Sequence, residues 1–545
     1  MIIMFREVFG HLPDHEVVIS LSWHMEKDLI NGSVAGAFQE LPPDSIQFAT
    51  EDERACFRAI QEDFRTGFAA TFPGQHTPKA VVIIPSLTLD QEILEKVSGH
   101  VFYEERMLCL LLLLRMPATH VIFVSSVPVD PVVVDYYLHL LPGITGHHAR
   151  NRLTLLSCYD AGPLSLTQKI LDRPRLMERI RRAIPLGYPA HLSCFNVTAY
   201  ERTLSVRLGI PIYGCDPDLY VWGTKSRSRK LFRECGITMP DGFEDVGDIE
   251  GIIQSLTELK VRHPKLKRAV IKMNDGFSGD GNAVFSYAGA NEGEDLRTWI
   301  RQQLPVSLKI VAEGMRFDQF MVKFEKMQGI VEAFIEGGET ASPSVQCRIT
   351  PLGQVEIIST HDQALGGESG QVFLGAYFPA QQDYSPELGR LGRVIAGSLR
   401  DKGVIGRFSV DFLAIRQSDG WNVHALEINL RKGGTTHPYL MLQYLTDGKY
   451  DEETGAYTTA NGQSRYYYAT DNLRSDRYHG ITPPDLLDIA IANDLHFDAT
   501  LQEGVVFHLI TALSQFGKLG MVCIGGGREK ARDIYAQTVA VLDRG

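Results

Sequence analysis

The sequence lacks long apolar segments, a positive net charge and paired cysteines, and each absence argues against a class of protein. Its longest apolar run, around Met107–Leu114, is far shorter than the roughly 20 residues that a membrane-spanning helix needs. The net charge of −12 disfavours a nucleic-acid-binding protein, because such proteins neutralise phosphates with clustered lysine and arginine. Met1–Phe5 is apolar but too short for a signal peptide. We therefore expect a cytoplasmic protein with no nucleic-acid or membrane partner.

The eight cysteines are scattered and form no CxxC pair, so neither a zinc site nor a disulfide framework is indicated. Cys158 and Cys194, for example, lie in apolar runs, which is typical of buried reduced thiols. The remaining composition, 44% hydrophobic and 22% charged residues, is that of an ordinary globular protein. With 545 residues, the chain has room for about three or four domains.

A strand–helix alternation begins near residue 79 and predicts a parallel sheet covered by helices. Helical patterns fill the gaps between its strands and include Glu104–Arg115 and Leu166–Arg182. No GxGxxG fingerprint follows the first strand, so the alternation alone indicates only an α/β scaffold. The strand candidates are Ala80–Ile84, His120–Ser125, Leu153–Cys158 and His191–Phe195.

A second α/β unit begins near Gly223, and the chain becomes strand-rich from Gly329. One helical pattern, Pro386–Asp401, interrupts that strand-rich part. Residues 446–480 are polar and full of Tyr, Asp and Gly without a core pattern, which predicts an insertion or linker. A final α/β segment runs from Thr482 to the end.

The sharpest chemical signal lies in a predicted hairpin with an Asp-Gly turn at residues 419–420. A turn centred on residue 419 places Asp411 opposite Glu427, and the strand period puts Glu427, Asn429 and Arg431 on one face. Two carboxylates that close repel each other unless a cation lies between them. Magnesium takes oxygen ligands and bridges phosphates, so it is the obvious candidate. The alternative is a pair of solvated carboxylates on an exposed sheet face.

Lys272 lies near the end of the apolar strand Ala269–Met273 and precedes a glycine-rich loop, Asn274–Asn282. Glycine lets a backbone approach a phosphate closely and turn its amides inward, and the lysine adds positive charge. Ser278 and Gly279 lie inside this loop. The loop lacks the GxxxxGK[ST] order of a P-loop, and its alternative interpretation is an ordinary turn.

Two further signals lie on either side of that loop in the sequence. Lys225 opens a predicted helix, where a cation opposes the helix dipole unless an anion is bound; a solvated basic face is the alternative. The apolar strand Val331–Ile335 runs into a glycine-bounded segment that ends at Glu339. Such a strand could offer backbone groups to an adenine, and Glu339 could accept from ribose hydroxyls. An ordinary strand end is the alternative there.

In this order the four signals resemble the ATP-grasp superfamily, over about residues 223–445. In that family two α+β lobes clasp ATP between them. The resemblance implies that Lys225 and Lys272 contact phosphates and that Ser278 and Gly279 belong to a mobile phosphate loop. It also implies an adenine and ribose site and a magnesium site, with Mn²⁺ as an alternative metal. The residues implied are Glu332, Ala333, Ile335 and Glu339 for the nucleoside, and Asp411, Glu427 and Asn429 for the metal.

Longer segments, among them KMNDGFSGDGNAV and GVVFHLITALSQFGKLG, resemble the pheganomycin-type peptide ligase family over about residues 79–545. The implied architecture is α/β, with lobes of the α+β kind. A Rossmann-like pre-ATP-grasp domain is expected at residues 1–222, the two ATP-grasp lobes at 223–331 and 332–445, and an insertion with a small C-terminal α/β domain at 446–545.

The implied activity is ATP-dependent ligation of an amino-acid-like carboxylate to the amine of an amino acid or peptide, in natural-product biosynthesis. It proceeds through an acyl phosphate and releases ADP and phosphate. The alternatives are another ATP-grasp enzyme, such as a carboxylase, and an ATP-binding regulatory protein on the same fold. The oligomeric state stays open, a homo-oligomer included.

Three residues are candidates for the chemistry of such a ligase. Arg431 is placed to hold the carboxylate and then the tetrahedral oxyanion. Arg348, on a predicted strand, is expected to point into the same cleft, with a surface ion pair as its alternative. His437, on a predicted loop, could contact substrate or take the amine proton, with a loop-ordering role as its alternative. His361 is a weaker candidate of the same kind.

Overall fold

Four parallel strands form the N-terminal sheet, in the order β3-β2-β1-β4, which confirms the predicted α/β fold class. The computed structural model describes residues 50–72, 74–88, 99–275, 281–290, 295–312, 314–366 and 372–544. The strands are β1 Lys79–Ile84, β2 Thr119–Ser125, β3 Leu153–Ser157 and β4 Ala190–Cys194. The helices are α1 Glu51–Thr71, α2 Pro131–His139, α3 Gly146–Arg150, α4 Leu166–Leu171, α5 Pro174–Ala183 and α6 Ala199–Leu208.

The predicted helix Leu166–Arg182 is divided into α4 and α5 in the structure. Pro174 begins α5, because proline lacks the amide hydrogen that a helix interior needs and is preorganised for the first turn. The apolar run Met107–Leu114 lies in a 3-10 helix, His100–Arg115, and most of that helix is buried, as expected.

An antiparallel sheet of order β5-β9-β6-β7-β8 follows, and it places Lys272 one residue before the end of β6. Its core includes Ile252, Ile271, Phe285 and Phe320. The strands are β5 Gly242–Val246, β6 Arg268–Met273, β7 Asn282–Ser286, β8 Lys309–Ile310 and β9 Gly329–Ala333. The helices are α7 Lys225–Glu234, α8 Ile249–Arg262, α9 Leu296–Ser307 and α10 Phe317–Met327, and a 3-10 helix, Pro217–Gly223, precedes them.

The largest sheet has nine strands, in the order β10-β14-β11-β12-β13-β18-β20-β19, with β15 paired to β14. Its first strands are β10 Thr340–Ala341, β11 Pro343–Ile349, β12 Val355–Gly366, β13 Val372–Phe378, β14 Gly406–Gln417 and β15 Gly420–Asn429. The helices of this part are α11 Ser385–Asp401, one residue longer than its prediction, and α12 Thr436–Thr446. The remaining strands are β16 Lys449–Asp451, β17 Ala456–Thr458, β18 Tyr466–Arg474, β19 Gly504–His508 and β20 Lys518–Gly525. Strands β16 and β17 pair with each other in a separate two-stranded sheet.

The hairpin of β14 and β15 has the predicted pairing of Asp411 with Glu427. The turn is tighter than the prediction assumed, because Gln417 pairs with Gly420 across a two-residue loop. A bulge that leaves one extra residue on β15, next to Asp411, then shifts the register by one residue. The two carboxylates therefore stand opposite each other only because the bulge offsets the shorter turn.

The prediction that residues 446–480 form an insertion or linker without a core pattern is wrong. Strand β18 lies between β13 and β20 in the nine-stranded sheet, and Tyr467 on it is fully buried. Its sequence begins with three tyrosines, which suit both an apolar core and a polar surface. For that reason the segment shows no alternation that would identify a strand.

One apolar core joins the N-terminal part to the end of the chain. Leu111 and Leu112 of the 3-10 helix belong to the same buried cluster as Met441 of α12, Val506 of β19 and Met521 of β20. The chain ends with helices α13 Pro483–Ala492, α14 Ala512–Phe516 and α15 Arg528–Leu542. In the part of the chain described, no helix combines the length and apolarity needed to cross a membrane.

Candidate active site

A polar cleft of about 210 Å³ lies where β14, β15 and the start of α7 meet. It brings together five of the residues predicted from the sequence, and also the segment Gly433–Thr435 that precedes α12. The predicted residues that line it are Lys225, Asp411, Glu427, Asn429 and Arg431. Lys225 therefore lies at the same cleft as Asp411, although the two are 186 residues apart along the chain.

The metal candidates are linked to one another through the amide of Asn429. Its Nδ2 donates to Asp411 Oδ2 at 3.0 Å and lies 3.5 Å from Glu427 Oε1. Gln363 on β12 donates to the other oxygen of Asp411 at 3.0 Å. All three candidates are half-buried, so two carboxylates are held close together with limited access to water.

The two carboxyl groups respond to this arrangement in opposite ways. Burial, reinforced by the charge of Glu427, raises the pKa of Asp411 above its usual range. Burial also opposes the ionisation of Glu427, but the charges of Lys225 and Lys272 outweigh it and lower the pKa of Glu427. Ionised Asp411 is therefore less stabilised by its surroundings than Glu427, and a divalent cation bound in the cleft would stabilise it.

Lys225 is the first residue of α7, and Thr224 caps that helix by accepting from Arg227 N at 3.4 Å. The Lys225 ammonium lies 3.2 Å from Glu427 Oε2. A carboxylate therefore offsets the unfavourable position of a cation at a helix N-terminus. The backbone of Lys225 is fixed as well, since its amide donates to Asn274 O at 3.3 Å.

Lys272 belongs to a buried chain of ion pairs. Its Nζ lies 2.6 Å from Glu332 Oε1, and Arg229 Nη1 donates to Glu332 Oε2 at 2.9 Å. Arg229 also donates through Nε to Glu244 Oε1 at 2.8 Å. Glu332, which the resemblance puts beside the adenine, is thus a buried carboxylate that positions Lys272 on β6.

Of the adenine and ribose candidates, Ala333 ends β9, whereas Ile335 and Glu339 follow it, and all three lie outside the cleft lining. No described group accepts a hydrogen bond from the Ile335 amide, whereas the Ala333 amide donates to Asp241 O at 2.8 Å. Glu339 is exposed, and its carbonyl accepts from Arg416 N at 2.9 Å. Ser278 and Gly279 lie outside the described residues.

The structure separates the two arginine candidates. Arg431 lines the cleft on the same face as Glu427 and Asn429. Arg348 does not line it and instead forms an ion pair with Glu356 on the adjacent strand β12, its side chain 31% exposed. The ion-pair alternative is therefore the one observed for Arg348.

The histidine candidates also lie away from the cleft lining. His437 is in the first turn of α12, not on a loop, and is buried with its Nε2 2.8 Å from His508 Nε2. Burial, with the charge of His508, lowers the pKa of His437 well below its usual range. His361 is fully buried, its Nε2 2.8 Å from Tyr467 Oη, and burial lowers its pKa to about 3. Both histidines occupy structural positions.

Sequence reasoning missed several polar residues of the cleft. Gln363, Ser344 and Ser409 line it, and Tyr220, on the 3-10 helix before α7, donates to Asp275 at 3.4 Å. The only available signal was position, because Ser344 and Ser409 share a strand face with the metal candidates. Serine and glutamine are too common at strand surfaces for that signal to be specific.

Two sequence models of known families match parts of the chain. A sequence model of the family described as IQCH-like ATP-grasp matches residues 218–289 and 294–453. A second model, for the PGM1 C-terminal domain, matches residues 485–538.

Two relatives and one solved structure extend the comparison. The L-propargylglycine–L-glutamate ligase of Streptantibioticus cattleyicolor is 27% identical over 488 residues, which are 87% of this chain and 95% of that protein. IQ motif-containing protein H of Danio rerio is 21% identical over 85% of this chain, which spans only 48% of that protein. The biotin carboxylase domain of Hydrogenobacter thermophilus 2-oxoglutarate carboxylase shares the fold, with a TM-score of 0.50, 12% identity and coverage of 85% of this chain and 89% of that one. Residues 218–289 and 294–453 are therefore similar in sequence to an ATP-grasp domain.

Proposed function

We propose that this protein is an ATP-dependent carboxylate–amine ligase that forms an amide bond through an acyl phosphate and releases ADP and phosphate. The observation that carries the proposal is the assembly of Lys225, Asp411, Glu427, Asn429 and Arg431 around one cleft. The relative named as a ligase of two amino acids, which this chain covers almost throughout, supports an amino-acid acid substrate and an amino-acid or peptide amine substrate. A role in natural-product biosynthesis follows from the same resemblance.

The cleft residues fit a divalent cation. Asp411 and Glu427 offer carboxylate oxygens, and the amide of Asn429 can turn its oxygen toward the same point. Burial and, after it, the charge of Glu427 raise the pKa of Asp411, and a bound cation would oppose both effects. Bound Mg²⁺, or Mn²⁺ as the alternative, would neutralise phosphate charge.

The nucleotide contacts are proposed from the same resemblance. Lys225 and Lys272 contribute positive charge for the phosphates, and Lys272 is held for that role by Glu332. The backbones of Ala333 and Ile335 contact the adenine, and Glu339 accepts from the ribose. Ser278 and Gly279 are proposed as further phosphate contacts.

Arg431 then holds the acid substrate. Its guanidinium binds one carboxylate while a carboxylate oxygen attacks the γ-phosphorus of ATP and ADP leaves. The amine nitrogen next attacks the acyl carbon, and Arg431 stabilises the oxyanion that forms. The bond from the acyl carbon to the phosphate oxygen then breaks, and the released phosphate takes the amine proton. His437 and His361 have no part in these steps, because both are buried away from the cleft.

The test is ADP release from Mg-ATP with pooled amino acids and short peptides, followed by mass spectrometry of the products. We expect ADP only when an acid and an amine are both present, and a product lighter than their sum by one water. ADP formed with bicarbonate as the sole acid would indicate a carboxylase instead. AMP in place of ADP would reject the acyl-phosphate mechanism.

A further inference from the structure

Two apolar side chains, Leu365 and Phe373, lie in the lining of the otherwise polar cleft. Every other described residue of that lining is a glycine or carries a polar or charged side chain. Leu365 on β12 pairs directly with Phe373 on β13, and side chains paired in this way lie on the same face of a sheet. We call this pair the apolar wall of the cleft.

The apolar wall is separate from the apolar cores of the protein. Neither Leu365 nor Phe373 belongs to, or packs against, any of the buried apolar clusters among the described residues. Both side chains are half-buried, so part of the apolar surface of each one faces the cleft. Because removal of such surface from water is favourable, the wall can bind an apolar group that enters the cleft.

Neighbouring residues hold the apolar wall in place. The carbonyl of Phe373 accepts from Asn472 Nδ2 at 2.9 Å. The carbonyl of Leu374, the next residue, accepts from Thr470 Oγ1 at 2.6 Å, so two residues of β18 fix this end of β13. Gly434 lies against the ring, because a Cβ atom at that position would be 3.1 Å from Phe373 Cε1. A larger residue at position 434 would therefore displace the ring.

The apolar wall lies close to the metal candidates. Gln363, two residues before Leu365 on β12, donates to Asp411 Oδ1 at 3.0 Å. Two residues along a strand span about 7 Å, at roughly 3.3 Å per residue, and return to the same face. An amino acid that reacts near Asp411 can therefore place its side chain against the wall, since the side chain begins at the carbon that bears both the carboxylate and the amine. The adenine and ribose candidates lie outside this lining.

We infer that Leu365 and Phe373 bind an apolar side chain of an amino-acid substrate and thereby select which amino acids are ligated. This inference rests on the proposed ligase function. The acid and the amine can each carry such a side chain, and the test below separates the two. A polar side chain is disfavoured at the wall, because neither Leu365 nor Phe373 has a side-chain group that forms hydrogen bonds with it.

The test compares leucine with asparagine, whose side chains have nearly the same size and shape, by calorimetric titration of the full chain. Mg²⁺ and a non-hydrolysable ATP analogue are present throughout. Wild type is expected to bind leucine at least about tenfold more tightly than asparagine, because the asparagine amide would lose hydrogen bonds to water at the wall. N-acetylleucine and N-acetylasparagine can serve only as acids, whereas leucinamide and asparaginamide can serve only as amines. The pair that shows the same preference identifies the substrate that contacts the wall.

Leu365→Asn makes the wall polar at nearly constant size and is expected to abolish the preference for leucine. Phe373→Ala is the second variant, expected to weaken that preference because the apolar surface of the ring is lost. Leu374→Asn is the matched control. It is the same substitution at an exposed leucine that is absent from the cleft lining, and it should keep the preference of wild type.

Equal binding of leucine and asparagine by wild type, or no binding of either, would overturn the inference. So would an undiminished preference for leucine in both Leu365→Asn and Phe373→Ala. A loss of affinity for the ATP analogue alone in these variants would also overturn it, because the wall would then contact the adenine. A preference for leucine that depends on Leu365, in a chain that ligates no acid and amine, would retain the apolar subsite and defeat only the ligase function.

Discussion

Asp411 and Glu427 are two neighbouring carboxyl groups, but positive charge in the structure lies closer to Glu427. Glu427 has the Lys225 ammonium at 3.2 Å, whereas Asp411 accepts hydrogen bonds from the amides of Gln363 and Asn429 and forms no ion pair with a described lysine or arginine. A cation in the cleft would therefore bind where the positive charge is missing. At this scale the proposal depends on carboxylate charge and not on side-chain size.

Glu427→Gln keeps the side-chain volume and removes the charge. We expect turnover to fall by about 100-fold or more, because the metal loses a carboxylate ligand. The measurement is ADP release at increasing Mg²⁺, with the melting temperature as a check on folding. Glu387→Gln, at an exposed ion pair with Arg390, is the control and should leave turnover unchanged; wild-type turnover in Glu427→Gln would contradict the site.

Part of this site was predictable from the sequence because it is local. The pairing of Asp411 with Glu427 was predicted from one turn and the strand period, but the structure reaches it through a shorter turn and a bulge that offset each other. The position of His437 was not predictable, since its partner His508 lies 71 residues further along the chain. The role of Glu332 was hidden for the same reason, because Arg229 precedes it by 103 residues.

At the scale of elements, α7 is tied to β5 and β9 by buried charge. Arg229 is 1% exposed and bridges Glu244 and Glu332, and Glu332 in turn holds Lys272. Helix α7 also carries Lys225, so both lysines proposed for the phosphates depend on this connection. The ion pairs of Arg229 therefore hold α7, β5 and β9 together, and these elements lie next to the proposed nucleotide site.

Arg229→Met removes the centre of that tie. We expect the free energy of unfolding to fall by about 3–5 kcal/mol, because two buried carboxylates lose a partner. Denaturant unfolding measures this. Arg390→Met, which breaks an exposed pair, should cost less than about 1 kcal/mol; equal effects of the two substitutions would show that the tie adds nothing.

Helices and strands were predicted correctly where their apolar pattern was local. The predictions failed where a single residue ended a helix or where side chains suited both faces of a strand. The four parallel strands and α11 were found from apolar periodicity. Pro174 divided a helix that periodicity alone had joined. The tyrosines of β18 concealed a strand, because a tyrosine fits either face of a sheet.

At the scale of the molecule, the end of the chain completes the sheet that holds the metal candidates. Strands β18, β20 and β19 extend it beyond β13, and their apolar side chains share a core with the N-terminal 3-10 helix. The segment that matches the ATP-grasp model therefore shares its sheet and its core with residues beyond that match.

A chain that ends at residue 445 tests this dependence. We expect it to aggregate or to unfold without a cooperative transition, because β13 becomes an open edge and a shared core is exposed. Light scattering and thermal unfolding report the outcome. A chain that ends at Asp543, one residue after α15, should unfold like the full chain, and a soluble, cooperative chain of 445 residues would contradict the shared core.

Glu105 links the 3-10 helix to the C-terminal part by accepting from Thr511 N at 3.2 Å. Burial raises its pKa to about 7. Between about pH 4.5 and 7 the unfolded chain has released this proton while the folded chain keeps it, so stability falls as the pH rises.

Glu105→Gln removes this titration. The free energy of unfolding of the variant minus that of wild type is expected to be about 3 kcal/mol larger at pH 7 than at pH 4.5. Denaturant unfolding at each pH measures this difference. Glu62→Gln, at an exposed carboxyl on α1, should follow the wild-type profile. Parallel profiles for wild type and Glu105→Gln would show that Glu105 is ionised in the folded protein.

The acyl phosphate is the central claim, and transfer of labelled oxygen tests it most directly. The amino acids found to support ADP release are labelled with ¹⁸O in their carboxylates, and the phosphate released with Mg-ATP and an amine is examined by mass spectrometry. Attack of a carboxylate oxygen on the γ-phosphorus predicts one ¹⁸O atom in each phosphate released. Amide formation with unlabelled phosphate would contradict the mechanism.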